Sequence, residues 1–384
     1  MNTRLPHAID PAPMRVCLDL RFRTESGASS YIRQLVPALL QADSAVEYVF
    51  VRYPWQRFDF EPAVTDVIVA PGGPDWVDLL WTIAVLPRRM AQKGVDLYHA
   101  MKMPGPYWAG VKTVRTVHSI TDAYRGQYPR TMKQRVYHFY ANPTVRKSDR
   151  ILAVSHYVRD FVLERFLLHP DRVQVIYHGI DPAFRPLERK ECQPVLQRLG
   201  ISREFVLCLG NIFPVKNHVT AVRAFAAIAD RFPELDLVIA GGTQDPYFQL
   251  VERVIADHGL QGRVRLPGFV EAADLPCLLN GALLLFLPSL TEGLPISMLE
   301  GIACGLPVVA SRRGGLEEIG RSCAAFVDDP MDHEAFALVL EDICGNERAR
   351  ESLRRKALLR AGDFSWNSAA VDHLRAYRIV SGLE

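Results

Sequence analysis

The stretch from Phe286 to Ala310, F-L-P-S-L-T-E-G-L-P-I-S-M-L-E-G-I-A-C-G-L-P-V-V-A, constrains what this chain can fold into more than any other. The apolar run Ala282–Leu287 reads as a buried strand, and the polar turn with Gly293 and Pro295 leads into a helix that runs to Ala303. Gly305 stops the helix, and Val308–Ala310 reads as the next strand. A strand, a turn, a helix and a second strand in this order build parallel sheets with helices packed on their faces.

The turn also carries chemistry. Pro295 is expected at the first helical position, where its missing N–H would have had no partner. The amides of Ile296 and Ser297 would then point out of the helix end, where the dipole favours an anion such as phosphate. Glu292 lies just before that end, and Glu300 sits about 7–8 Å along the axis at ~1.5 Å per residue. A carboxylate at Glu300 would accept hydrogen bonds from a sugar diol, so the two glutamates would bracket a diphosphate and two sugars. The same spacing reads equally well as a solvated helix with ordinary surface acids.

At 384 residues, 49% apolar and 23% charged, the chain is long for one core, and two domains of ordinary size are expected. It contains no run of eighteen apolar residues that would cross a membrane. The N-terminus lacks the apolar core and cleavage pattern of a signal peptide and reads as a loose end. The 7 cysteines are scattered, without Cys-x-x-Cys, and are expected as reduced, buried thiols of a cytoplasmic protein. The net charge of +2 hides an asymmetry. Up to Asp171, Lys and Arg outnumber Asp and Glu by 22 to 16. The excess gathers at Arg125, Arg130, Lys133, Arg135, Arg146, Lys147 and Arg150, with a second group at Arg88, Arg89 and Lys93. Such a half either meets anionic lipid headgroups at a membrane surface or a phosphate-bearing acceptor, or is a solvated helix face. Nothing in the pattern points to nucleic acid.

Along the chain, Met14–Leu20 reads as the first strand, and its turn, with Gly27, opens a helix to about Gln41. Strands are expected at Tyr48–Arg52, Asp66–Ala70, Val95–His99 and Lys112–Val117, with a helix over Trp76–Met90. His118 then stands at the carboxyl end of a parallel strand, the edge where open α/β sheets bind ligands. It is read as a site residue, whereas His99 is read as structural. A long amphipathic helix is expected from Arg130 to Arg146, and Ser155 as an N-cap after the strand Asp149–Val154. Turn residues Gly179 and Pro182 place a linker near 177–188. Glu204–Leu209, Asp236–Ala240 and the segment Arg263–Val270, leading to Gly268, read as further strands. Gly210 and Gly242 stand in close-approach turns, a helix starts near Lys216, and the C-terminal third reads as helices.

The motif E-G-L-P-I-S-M-L-E-G-I-A-C-G-L-P-V-V-A-S, followed by G-G-L-E-E-I, resembles the signature of the group 1 (family 4) retaining glycosyltransferases. The resemblance implies the GT-B fold, two facing Rossmann-like domains with a nucleotide sugar held in the cleft. Residues 1–180 would form the acceptor side and residues 181–384 the donor side, with the C-terminal helix packing back on the first domain. It implies transfer of a hexose (mannose, glucose or rhamnose) from a nucleotide diphosphate sugar to a hydroxyl of a carbohydrate or lipid-linked acceptor, in cell-surface polysaccharide or glycoconjugate assembly. Glu300 would hold the ribose diol, and Lys216 with the Gly293, Leu294, Pro295, Ile296 and Ser297 segment the diphosphate. Glu292 and His118 would orient the transferred sugar. Gly27 would approach the phosphates or the acceptor, Gly242 the donor, and Val270 and Phe269 the base through their backbone.

The chain departs from the pattern in three places. Asn211, expected as a donor contact, and Val215 stand where the family carries an Arg, and Ser119 replaces the Asp that usually follows the site histidine, with Asp122 three residues on. No Asp-x-Asp, metal-ligand cluster, P-loop or G-x-S-x-G is present. Transfer without metal or cofactor is therefore expected, with helix-end amides and Lys216 stabilising the leaving diphosphate. Two other readings stay open: a nucleotide-sugar epimerase of the same fold, and a non-catalytic subunit that binds nucleotide sugar.

Overall fold

The computed structural model describes residues 13–23, 27–61, 64, 66–102, 105–118, 132–243 and 246–384. Its strands are short and apolar, as strands covered on both faces must be. β1 (Arg15–Asp19), β2 (Glu47–Arg52), β3 (Asp66–Val69), β4 (Leu97–Ala100), β5 (Lys112–Val117), β6 (Arg150–Ala153) and β7 (Val173–Val175) form one parallel sheet, ordered 3-2-1-4-5-6-7. β8 (Glu204–Leu209), β9 (Leu235–Ala240), β10 (Val264–Gly268), β11 (Leu284–Leu287), β12 (Val308–Ser311) and β13 (Ala324–Val327) form a second, ordered 10-9-8-11-12-13. In each sheet the order reverses once, between β1 and β4 and between β8 and β11. The loops leaving those strand pairs diverge and open a crevice at the carboxyl edge.

The helices around the first sheet are α1 (Gly27–Ala42), α2 (Asp75–Ala84), α3 (Leu86–Gln92), α4 (Met132–Lys147) and α5 (His156–Phe166). Those around the second are α6 (Arg189–Arg198), α7 (His218–Ile228), α8 (Tyr247–Asp257), α9 (Leu275–Gly281), α10 (Ile296–Ala303), α11 (Gly315–Gly320), α12 (His333–Gly345) and α13 (Glu347–Ala361). α14 (Trp366–Ser381) ends the chain and returns to pack on α1 and β5.

Three expectations shift. The helix expected over Trp76–Met90 divides at Val85 into α2 and α3, because Pro87 is tolerated only in the first turn of a new helix. The helix expected at Lys216 starts later: Pro214–Lys216 is a single 3-10 turn, Asn217 is left-handed at φ 58, and α7 follows. Pro295 is the N-cap of α10 and not its first residue. At φ -78 and ψ 91 its carbonyl accepts from the amides of Met298 (3.0 Å) and Leu299 (3.1 Å). The expected helix start at Arg130, and Arg125 of the basic cluster, lie outside the described residues. Elsewhere in that cluster Lys147 sits over the rings of Tyr107 (4.0 Å) and Trp108 (4.5 Å), and Arg150 donates to Gln174.

An apolar seam joins the two halves. Val154, which follows β6, and Val158 and Val162 of α5 share one core with Leu294 of the turn before α10 and with Met298, Leu316 and Ile319 of α10 and α11. On the other side, Ala370, Leu374 and Tyr377 of α14 pack with Leu18, Ile32 and Leu35. A hydrogen-bonded chain fixes α14 there. His373 Nδ1 donates to Ala369 O (2.6 Å), so its Nε2 must accept from Tyr31 Oη (2.9 Å). Tyr31 then accepts from Thr116 Oγ1 (2.9 Å), which accepts from His99 Nε2 (2.8 Å), whose Nδ1 accepts from Tyr377 Oη (2.7 Å). His99, read as structural, has this purely structural place. Burial lowers the pKa of both imidazoles, so both are neutral and the bonds run in this direction.

Candidate active site

The crevice of the second sheet is built from the turns after β8, β9 and β11. A Cβ on Gly241 would lie 2.1 Å from the carbonyl oxygen of Gly210, so the first two turns pack backbone on backbone. Asn211 Oδ1 accepts the amide of Gly242 at 3.0 Å. Asn211 and Gly242, both read as donor contacts, therefore bond to each other and set the shape of the crevice floor. From the β8 loop Lys216 reaches across to the β11 loop, where its Nζ donates to Glu292 Oε1 at 2.6 Å. Ser289 Oγ donates to the same oxygen at 2.9 Å. The two loops are stitched by the Leu290 amide on Val215 O at 2.8 Å. The pair keeps side-chain exposures of 22% and 15%, enough for a ligand to reach both. Its two members come from sequence positions 76 residues apart and meet where the strand order reverses.

The Glu292–Pro295 turn faces the first domain. A Cβ on Gly293 would come within 3.0 Å of His118 O, and Ser155 Oγ donates to Gly293 O at 2.7 Å while capping α5. Gly27, at the start of α1, stands with its Cβ position 3.2 Å from Ile296 Cγ1. Gly27, His118, Gly293 and Ile296 thus share one cleft. The amides of Ile296 and Ser297, first and second in α10, have no intrahelical acceptor and open into it. Leu294 is buried in the core seam, so only its backbone is available. Val270 is likewise buried, and Phe269 beside it is exposed.

His118 directly follows β5. Its Nε2 donates to Met101 O at 2.7 Å, which leaves Nδ1 as an acceptor, and that atom is buried without a partner among the described residues. Burial lowers its pKa to about 4, so it is neutral at physiological pH. Tyr31 and His178 press edge-on to the ring at 4.7 and 5.4 Å. Ser119 and Asp122 lie outside the described residues. Glu300, inside α10, is pushed up to about 8, first by burial and then by the nearby charge of Asp181.

Two residues in the site had no reading from sequence. Asp181, in the segment H-G-I-D, accepts from the Ala183 amide (2.8 Å) and from Gln34 Nε2 of α1, and so couples the first domain to the region of Glu300. Glu318 takes the α5 amides of His156 (2.8 Å) and Tyr157 (3.1 Å), and also the hydroxyl of Tyr177. Its signal was the G-G-L-E-E motif, read only for its glycines. Those glycines buttress the donor-side turn: the Gly315 amide donates to Glu292 O at 2.9 Å, and a Cβ on Gly315 would lie 2.4 Å from Gly293 O. Among the described residues no group of three His, Cys, Asp or Glu is placed to hold a metal ion.

Residues 26–184 match the family described as glycosyltransferase family 4, and residues 197–360 match glycosyl transferases group 1. The chain belongs to the group 1 glycosyltransferases. The O-antigen chain mannosyltransferase B of Escherichia coli is 27% identical over 303 residues, covering 77% of this glycosyltransferase and 78% of that protein. The D-inositol 3-phosphate glycosyltransferase of Salinispora arenicola is 31% identical over 248 residues, covering 61% of this chain and 55% of that one. The chain thus spans about half the length of that relative. The fold is that of GT-B glycosyltransferases: the structure of Anabaena HepE in complex with UDP and glucose superposes with a TM-score of 0.75 at 19% identity, over 95% of this chain and 99% of that one.

Proposed function

We propose that this glycosyltransferase moves a hexose of the mannose, glucose or rhamnose type from a nucleotide diphosphate sugar to a hydroxyl of a carbohydrate or lipid-linked acceptor, in cell-surface polysaccharide or glycoconjugate assembly. It would act in the cytoplasm, peripheral to the membrane, with retention of anomeric configuration and without a metal. The observation that carries the reading is the Lys216–Glu292 pair at the second sheet's crevice, beside the open amides of Ile296 and Ser297. A diphosphate arriving there would share the ammonium of Lys216 with Glu292 and take the two amides. As the bond from the anomeric carbon to the phosphate oxygen breaks, these donors meet the charge that develops on the leaving group. The acceptor oxygen would bond the same face of that carbon and pass its proton to the leaving phosphate oxygen. Glu300 would receive the ribose diol, and His118 Nδ1 a hydroxyl of the transferred sugar.

The test is calorimetry against UDP, GDP, dTDP and ADP with and without EDTA, followed by transfer assays with the matching donor and analysis of the anomeric product. Binding of one nucleotide that survives EDTA, and transfer with retention, are expected. Lys216→Ala should lower kcat more than it weakens donor binding, because the charge it answers is largest in the transition state. Nucleotide binding without transfer to any acceptor would favour the non-catalytic subunit, and turnover of the donor alone would favour the epimerase.

A further inference from the structure

The outward face of α2 is apolar and bare. Trp76, Leu80 and Ile83, at helical spacing, are 65%, 57% and 42% exposed. Trp55, 55% exposed, packs against Gly72 in the loop that leads into the helix and extends the same patch. The helix cannot roll to hide this stripe, because its opposite face is fixed. Asp78 and Thr82 are buried, and both bond Arg21 NH1, at 3.2 and 2.8 Å. Large aromatic and aliphatic groups held in water on a rigid helix mark a contact surface.

The charges around the stripe identify the partner. The exposed residues of α2 and α3 are Asp75, Trp76, Leu80, Ile83, Ala84, Arg88, Arg89, Ala91 and Gln92. Asp75, their only carboxylate, lies 3.3 Å from Arg23 and is neutralised there. Lys93, which follows α3, is spent on Asp66 at 2.5 Å. Arg88 and Arg89 make no ion pair among the described residues. The two helices together therefore offer exposed apolar side chains, an exposed tryptophan and two arginines without an ion pair among the described residues, the composition of a segment that lies in the plane of an anionic bilayer. Among the described residues no helix is long and apolar enough to cross one.

We propose that α2 and α3 dock this chain on an anionic lipid bilayer, with Trp76, Leu80 and Ile83 entering the headgroup boundary and Arg88 and Arg89 meeting lipid phosphates. This rests on the membrane-contact part of the reading above and on none of its chemistry. Arg21, which anchors the buried face of α2, follows the carboxyl end of β1, so the helix itself stands at the edge of the sheet where the first domain's crevice opens.

The experiment is co-sedimentation of the full chain with vesicles of phosphatidylcholine alone and of phosphatidylcholine mixed with phosphatidylglycerol. The chain should partition onto the mixed vesicles, and added salt should weaken the binding. The double variant Trp76→Ser/Leu80→Ser should lose about tenfold or more of that partition. Arg88→Gln/Arg89→Gln should lose about fivefold per arginine, and with it the preference for the anionic lipid. Both variants should keep the melting temperature and nucleotide affinity of the parent, since these side chains touch neither core nor cleft. Vesicle binding that survives both double variants would overturn the assignment of α2 and α3 while leaving membrane contact standing. No vesicle binding by the parent chain would overturn both and leave glycosyl transfer to a soluble acceptor untouched. Self-association that Trp76→Ser/Leu80→Ser abolishes, without vesicle binding, would assign the face to a second copy instead.

Discussion

Glu300 enters the donor site in an unusual protonation state. Burial and Asp181 hold its pKa at about 8, so at pH 7 the empty protein carries it mostly as the neutral acid. Ribose hydroxyls donating to it would favour the carboxylate. Binding of the nucleotide should therefore release close to one proton at pH 7, and affinity should rise as pH increases toward 8. Titration calorimetry in buffers of different ionisation enthalpy measures this directly, and Glu300→Gln should abolish the proton release. A parent protein that releases no proton would mean that Glu300 does not accept from the ligand. The position of Glu300 could be read from its spacing to Glu292, because helical rise is a local property. Its pKa could not, since Asp181 and the burying residues come from distant segments. The same holds for Asn211, whose partner Gly242 is 31 residues away.

Between elements, the contact that carries most is Glu318 on the end of α5. Two backbone amides without helical partners, His156 and Tyr157, donate to one carboxylate from the other domain. A negative charge there also answers the positive end of the helix dipole. Glu318→Ala should cost about 1–2 kcal/mol, the usual range for loss of an N-terminal cap. That corresponds to a fall of about 2–8 °C in Tm for a domain of this size. Glu318→Gln should fall between the two, because its amide offers one acceptor oxygen where the carboxylate offers two. Equal melting of all three proteins would mean that solvent replaces the carboxylate at no cost. Most strands were legible because an apolar run bounded by turn residues is a local signal; Lys112–Val117 and Glu204–Leu209 have the boundaries their patterns give. β13 was not, since Ala324–Val327 is short and partly exposed at the sheet edge. The Lys216 turn was misplaced by one element because the left-handed Asn217 interrupts a segment whose pattern is helical throughout.

For the whole molecule, buried titratable groups set the dependence of stability on pH, and they oppose one another. Burial depresses five histidines: His118 and His373 to about 4, His218 to about 3, and His99 and His178 well below their ordinary value. Unfolded, each would titrate near 6.5. Between about pH 4 and 6.5 the unfolded chain therefore binds more protons than the folded one, and stability falls as pH falls. Glu300 acts in the other direction, because its folded pKa of about 8 lies above the unfolded value of 4.5. Between those limits the folded state holds the extra proton, and stability is lost as pH rises. Below about pH 7 the five histidines outweigh one glutamate, and above it the glutamate dominates. Stability should accordingly peak at about pH 7, fall steeply toward pH 5 and decline gently toward pH 8, at up to about 1.4 kcal/mol per pH unit for each unbalanced proton. Asp66 and Asp149, whose pKa values are lowered, add losses only near and below their unfolded value of 3.8, outside this window. Urea denaturation midpoints across pH 5 to 8 give the curve. Glu300→Gln should flatten the alkaline arm and steepen the acid arm by about one proton's slope, because the glutamate opposes the histidines there. If the acid arm is missing from the parent, the buried histidines are charged in the folded protein, and the donor and acceptor roles assigned along the chain from His373 through Tyr31 and Thr116 to His99 are wrong.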